Sequence, residues 1–214
     1  MDDTDVLSGE SSILQWSDAV AAASATPAGG AVAALTSALA ASLVAMVAGL
    51  TTRREKYAAV HGYAQEILER ADVLRADLLE LARHDAVVIA EYLDALTLPQ
   101  ATEFERTARD AARRAALFEA ARVQLELLDL ASEVSALAEA MVGSGVATAI
   151  GDAATASFLA AATSRSAYWS IRSNLRLMGR PDETRALVQS AVVTLERVEA
   201  AEIRVRQVLD ERVG

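Results

Sequence analysis

The 214-residue chain is 53% hydrophobic but only 4% aromatic, with three prolines, no cysteine and 48 alanines. A chain of this length buries a sizeable core without staples, and the absence of cysteine excludes thiolate zinc sites, disulfide scaffolds and cysteine nucleophiles. A formal charge of −10 and a pI near 4.7 exclude the basic face that a nucleic-acid binder needs to neutralise phosphates.

Alanine near a fifth of the residues, with few glycines and prolines, predicts an all-α fold packed through small side chains. The expected architecture is an up-and-down bundle of five to six helices, two of them about 40 residues long, forming one domain over residues 11–214. Residues 1–10 read as a disordered acidic tail. A short first helix runs from Ile13 to about Ala25 and stops at Thr26-Pro27-Ala28-Gly29-Gly30.

The second helix, about Ala31 to Leu50, lies in a stretch from Ala19 to Thr52 that carries no charge and is followed by Arg53-Arg54. That is also the pattern of a membrane span with a positive flank. Its interior is mostly Ala, Ser, Thr and Gly, so the expectation is a central helix buried on all sides by other helices. Ala33, Ser37, Ala41, Ala45 and Gly49 form a ridge of small residues at four-residue spacing, which lets another backbone approach closely. The acidic start lacks the basic region of a signal peptide, and a cytoplasmic protein is expected, with no membrane partner.

The third helix, about Glu55 to Ala95, carries a seam whose apolar positions step by three and four: Tyr57, Val60, Ala64, Ile67, Ala71, Leu74, Leu78, Leu81, then Val88, Tyr92 and Ala95. Between Leu81 and Val88 the seam requires an apolar residue, and the sequence supplies Asp85. A carboxylate there is costly unless it is paired, protonated or facing a wet cavity, so Asp85 is either a pocket group or half of a buried ion pair.

The fourth helix, about Glu103 to Met141, carries Phe104, Ala108, Ala111, Ala115 and Phe118 on one stripe and ends before Gly143-Ser144-Gly145. The fifth, about Ala149 to Met178, has a polar stripe of Asp152, Thr155, Thr163, Ser166, Ser170 and Asn174, interrupted by Leu159, which reads as a lined cavity or a solvent face. Asp152 and Asn174 lie about 33 Å apart along a continuous helix, so only a second subunit or a broken helix could bring copies of them together. Gly179-Arg180-Pro181 precedes the last helix, Asp182 to about Arg212. His61 and His84 are about 35 Å apart on one helix and cannot share a metal within one subunit.

No phosphate loop, dinucleotide fingerprint, zinc-protease or hydrolase-elbow motif is present. The ordered segments instead resemble the cyclodeaminase and methenyltetrahydrofolate cyclohydrolase family. Residues 26–35, TPAGGAVAAL, look like the family's TPGGGSVAAL, and residues 50–58, LTTRREKYA, are similar to its LTxGKKKYA. Asp85 stands where the family's DAxAF begins; Gly151-Asp152-Ala153 resembles SDA, and residues 171–175, IRSNL, resemble VRINL. Together the segments span nearly the whole chain, roughly residues 20 to 178.

The resemblance implies a dimeric helical bundle acting on the one-carbon unit that bridges N5 and N10 of tetrahydrofolate. The reaction is either expulsion of ammonia from the 5-formimino compound or addition of water to the 5,10-methenyl compound. It implies a folate derivative as substrate, no permanently bound cofactor and no metal. Asp85 is then the first candidate for proton transfer and Asp152 the second, with Lys56 as a proton donor or a contact for the glutamate carboxylate. Gly29 and Gly30, at a helix N-terminus, together with Arg53, Arg172 and Asn174, are the substrate-binding candidates. The chain also departs from the family: GGGS is Ala28-Gly29-Gly30-Ala31, both asparagines of GNPNAVSDA are absent, the asparagine of NVRIN is Ser170, and the proline of VPL is Gln124. A bundle that kept the fold, lost the site and serves as a binding or accessory protein is the alternative those departures raise.

Overall fold

The structure, a computed structural model, describes residues 11–179 and 181–213. The acidic tail expected over residues 1–10 and Arg180 of the Gly179–Pro181 break lie outside them. Among the described residues six α-helices follow one another: α1 (Ile13–Ala21), α2 (Gly29–Thr52), α3 (His61–Thr97), α4 (Glu103–Ser144), α5 (Ile150–Met178) and α6 (Pro181–Val213). Short 3-10 segments at Glu55–Val60 and Ala147–Ala149 precede α3 and α5. Among the described residues there is no strand, and the two longest helices, α3 and α4, have 37 and 42 residues.

Local chemistry sets most of the boundaries. Ser12 and Gln15 form a reciprocal capping box at the start of α1, and Thr102 and Glu105 form another at the start of α4. Gly179 ends α5 with φ 77°, the left-handed conformation glycine adopts without strain, and Pro181 opens α6 at a position that needs no N–H donor. Helix α1 stops at Ala21, four residues earlier than the composition predicts. Ala22 is already extended, and the Ser24 hydroxyl accepts from Thr26 N–H in the turn leading to Pro27. Glu55–Val60 is not the first turn of α3: Tyr57 leaves helical dihedrals (φ −107°, ψ 17°), and its hydroxyl accepts from Ala147 N–H at 2.9 Å.

Helix α2 packs against α3, α5 and α4, while α6 covers the outer side of α4 and α5. Buried Leu74, Leu78, Leu117, Leu127, Leu128, Val44, Val47, Val134, Met141 and Ile171 fill the interior. The small ridge of α2 is a contact surface, since Ala33, Ser37 and Ala41 are buried and the Thr163 hydroxyl of α5 donates to Ala33 C=O at 3.1 Å. Ion pairs fix α6: Arg204 reaches Glu139 at 2.5 Å, and buried Glu202 receives Arg165 from α5 and Arg206 from its own helix.

One expected burial pattern is corrected. Helix α2 is not enclosed on all sides, because Val32, Leu39, Met46 and Leu50 form an exposed apolar face. It is long and apolar enough to cross a membrane, yet 56% of its most apolar window is buried inside the bundle. The Phe104–Phe118 stripe of α4 is also exposed. Buried residues of α4 begin only at Ala116, so its first turns pair with the end of α3 as a hairpin outside the main core. Arg109 ties that hairpin by donating to Leu96 C=O at 2.7 Å.

Candidate functional site

The fault in the α3 seam lies at the meeting point of three helices. Asp85 is only 5% exposed. Its Oδ2 accepts from Ala31 N–H in the first turn of α2 at 3.0 Å, and its Oδ1 accepts from Gln124 Nε2 of α4 at 2.6 Å. Ala28, the N-cap of α2, supplies no side-chain cap. Asp85 therefore caps α2 from another helix, at the positive end of its dipole. Burial pushes its carboxyl above the usual carboxylate range, against the hydrogen bonds from Gln124 and Ala31 and the nearby His84, which favour the charged form. Of the two readings left open by the sequence, the ion pair is not what forms, since a neutral amide and a backbone N–H hold the carboxylate.

Gly30 makes this convergence possible. A Cβ there would stand 2.1 Å from Gln124 Nε2 and 2.3 Å from Asp85 Oδ1, whereas the same position on exposed Gly29 meets nothing within 4 Å. The N–H of Ala31 at this helix N-terminus is thus engaged by the protein's own carboxylate, and Gly29 is the open edge of the turn.

Gln124 was readable from the sequence only as a departure from a motif, yet it makes the shortest contact to Asp85. A signal for it existed. Along α4, Leu117, Ala121, Gln124, Leu128 and Ala131 step by three and four and are all buried, so Gln124 is a polar fault in that seam just as Asp85 is in the other. Its Oε1 is buried and has no partner among the described residues.

The other candidates do not gather around Asp85. Arg53 and Lys56 are exposed just beyond the C-terminus of α2, with the Lys56 ammonium 5.9 Å from the Tyr57 ring. Exposed Asp152 is in the first turn of α5, near the same end: Thr51 Oγ1 accepts from Val146 N–H there at 3.0 Å. The α2 segment from Ala31 to Thr51 separates this group from Asp85 by about 30 Å at 1.5 Å per residue. The polar stripe of α5 does not line a cavity within the protomer. Thr155 and Ser166 are exposed with Asp152, Ser170 and half-buried Asn174 lie at the margin, and Thr163 alone is buried, against α2.

Arg172 lies toward the C-terminal end of α5, beyond the Thr163 contact with the start of α2. Its guanidinium sits 5.8 Å from the Tyr168 ring and 5.4 Å from the exposed Trp169 ring. With Arg176 and Arg185 it lines a groove of about 490 Å³ between α5 and α6. Among the described residues no three His, Asp or Glu side chains converge as a metal site.

A family model described as formiminotransferase-cyclodeaminase matches residues 12–192. A methenyltetrahydrofolate cyclohydrolase from Methylorubrum extorquens is 33% identical over 170 residues, covering 79% of this chain and 82% of that protein. A formimidoyltransferase-cyclodeaminase from Mus musculus is 30% identical over 159 residues, 74% of this chain but only 29% of the mouse protein. The crystal structure of a formiminotetrahydrofolate cyclodeaminase from Thermotoga maritima shares the fold, with a TM-score of 0.87 at 23% identity, covering 96% of this chain and 98% of that one.

Proposed function

The chain belongs to the formiminotransferase-cyclodeaminase family, and from that membership we propose that it is an enzyme of the one-carbon unit bridging N5 and N10 of tetrahydrofolate. Its reaction is hydrolysis of the 5,10-methenyl compound to the 10-formyl compound, or closure of the 5-formimino compound with loss of ammonia. The match along 82% of a methenyltetrahydrofolate cyclohydrolase is the observation that carries this reading, and it makes methenyl hydrolysis the activity to assay first.

Both reactions pass through a tetrahedral carbon bonded to two nitrogens and one further nitrogen or oxygen, and both need protons moved at that carbon. Asp85 is the group we assign to that task. Its raised pKa brings proton uptake and release closer to neutral pH than an exposed aspartate allows. Gly29, open on its Cβ side, leaves room at the start of α2 for the substrate's one-carbon end. Arg172 and Arg176, in the groove between α5 and α6, suit the carboxylates of the glutamate tail, with Trp169 and Tyr168 holding Arg172 in place. Lys56, Arg53 and Asp152 reach a shared site with Asp85 only in a homodimer, for which the exposed apolar face of α2 is the natural contact. In this reading the protein is cytoplasmic, holds no permanent cofactor, and uses α2 as a core and interface helix, not a membrane span.

The test is spectroscopic. Purified protein should accelerate the decay of methenyltetrahydrofolate absorbance above its buffer rate, and Asp85→Asn should return it to that rate. If the absorbance decays at the buffer rate and no methenyl compound forms from the formimino substrate, the enzymatic reading fails. The rival reading, a non-catalytic bundle, rests on the buried, twice-bonded state of Asp85, which also suits a purely structural cap. It predicts folate binding without turnover.

A further inference from the structure

Among the described residues, no charged partner reaches the Asp85 carboxylate. Helix α2 brings no charged side chain anywhere between Gly29 and Thr52, α4 brings the neutral amide of Gln124, and the charged or titratable neighbour that acts on Asp85 is His84 of its own helix. A guanidinium or ammonium at that place would favour the ionised carboxylate, and an apolar side chain would favour the protonated form. A primary amide does neither, because it offers two donors on one side and an acceptor on the other.

We propose that Gln124 is a positioning residue that keeps the Asp85 carboxyl in one place through both of its protonation states. With Asp85 ionised, Nε2 donates to Oδ1, the arrangement present at 2.6 Å, and Oε1 has no partner among the described residues. The opposite amide orientation would set two acceptors against each other. When Asp85 takes up a proton, a half-turn of the terminal amide brings Oε1 to accept from the carboxylic O–H at the same place. The Ala31 N–H continues to donate to Oδ2. The unpartnered acceptor is then the idle half of a two-way contact. Gly30 preserves the tight approach this needs, since any Cβ there would occupy the space of both Gln124 Nε2 and Asp85 Oδ1. This inference rests on Asp85 as the group that transfers protons, but its test does not depend on turnover.

The variants are Gln124→Met, which keeps the volume and removes the amide, and Gln124→Glu. The readout is the carbon-13 carboxyl titration of Asp85, identified by the signal missing in Asp85→Asn, alongside the pH dependence of methenyl hydrolysis. Gln124→Met should move the Asp85 titration upward by about one pH unit, because the charge-assisted hydrogen bond lost from the ionised form is stronger than the neutral one lost from the protonated form. The rate profile should move with it while helicity is retained. Gln124→Glu should give two well-separated carboxyl titrations from a pair sharing one proton, and recover activity only toward acid pH, where the glutamic acid can donate. An Asp85 titration unmoved in a folded Gln124→Met overturns the proposal and leaves Gln124 a packing residue. If Gln124→Met does not fold, Gln124→Glu decides: a single unshifted Asp85 titration overturns it. Titration shifts in a protein without turnover leave the Gln124 contact standing and refute the enzymatic reading alone.

Discussion

Asp85 links stability to pH in a direction opposite to that of an ordinary ion-paired aspartate. Its folded pKa lies above its unfolded value, so the native state holds its proton more tightly. The stability it contributes is present below the ordinary carboxylate range and declines as pH rises through the folded value. Asp85→Asn keeps the shape, and its amide can pair with a rotated Gln124. The decline should therefore be absent in Asp85→Asn when midpoints of denaturant unfolding are compared across pH, and parallel curves for the two proteins would show that Asp85 is not perturbed. Gly30→Ala probes the same junction from α2. The intruding methyl must displace Asp85, which should cost about 1–3 kcal/mol of unfolding free energy, whereas Gly29→Ala at an open position should cost much less. Equal unfolding midpoints for the two would contradict the close approach. Of this junction the sequence revealed the half that breaks a long clean seam. Gln124 was hidden because α4 also carries buried Ser132 and Ser135, so one more polar residue on it does not stand out, and a motif comparison records it as a missing proline. That it answers Asp85 depends on the register of α4 against α3, which no local pattern encodes.

The helices were legible wherever caps and breakers act locally, and least legible where burial depends on what lies opposite. The capping boxes at Ser12 and Thr102 and the left-handed Gly179 are written in three or four residues. The Phe104–Phe118 stripe has a core-like period but no helix over it, and the α5 stripe has a cavity-like composition but faces mostly outward. Period tells which residues share a face, and only the partner tells what that face meets. The end of α5 is the functional counterpart of this point. Among the described residues, Arg113 and Arg122 of α4 and Arg204 and Arg206 of α6 pair with carboxylates. Arg172 instead packs on aromatic rings and lines a groove with Arg176. Because both are exposed, Arg172→Ala and Arg176→Ala should leave the unfolding midpoint near wild type and raise KM for a folate substrate roughly tenfold each, the scale of a lost hydrogen bond to a charged group. Pteroate derivatives lacking the glutamate should be insensitive to the change. A KM increase equal for both kinds of substrate would remove the groove from the tail and make the effect one of general electrostatics.

At the scale of the whole molecule, the candidate residues divide between the two ends of α2. Asp85, Gln124 and Gly30 hold its N-terminus, while Arg53, Lys56 and Asp152 surround its C-terminus. A single protomer cannot join groups about 30 Å apart along a rigid helix at one reacting carbon. The helix between them is free of charge and turns Val32, Leu39, Met46 and Leu50 outward, with Leu39 54% and Met46 43% exposed. Such a face suits a contact between copies of the chain, and pairing two copies of α2 in antiparallel fashion would set the N-terminus of one beside the C-terminus of the other. Antiparallel pairing is also what a two-fold axis perpendicular to the helix and passing beside its midpoint produces. The wild-type chain should then run at twice its 22.5 kDa mass in light scattering. Leu39→Glu with Met46→Glu should yield a helical monomer, because the carboxylates fall on a surface already exposed in the protomer and disturb only the contact between copies. If catalysis draws on both ends of α2, that monomer should lose turnover while Trp169 still responds to a folate tail bound at Arg172. A wild-type protein that is a 22.5 kDa species at every concentration would rule out this face as an interface between copies, and a monomeric variant with full turnover would confine the site to Asp85 and its own end of the bundle.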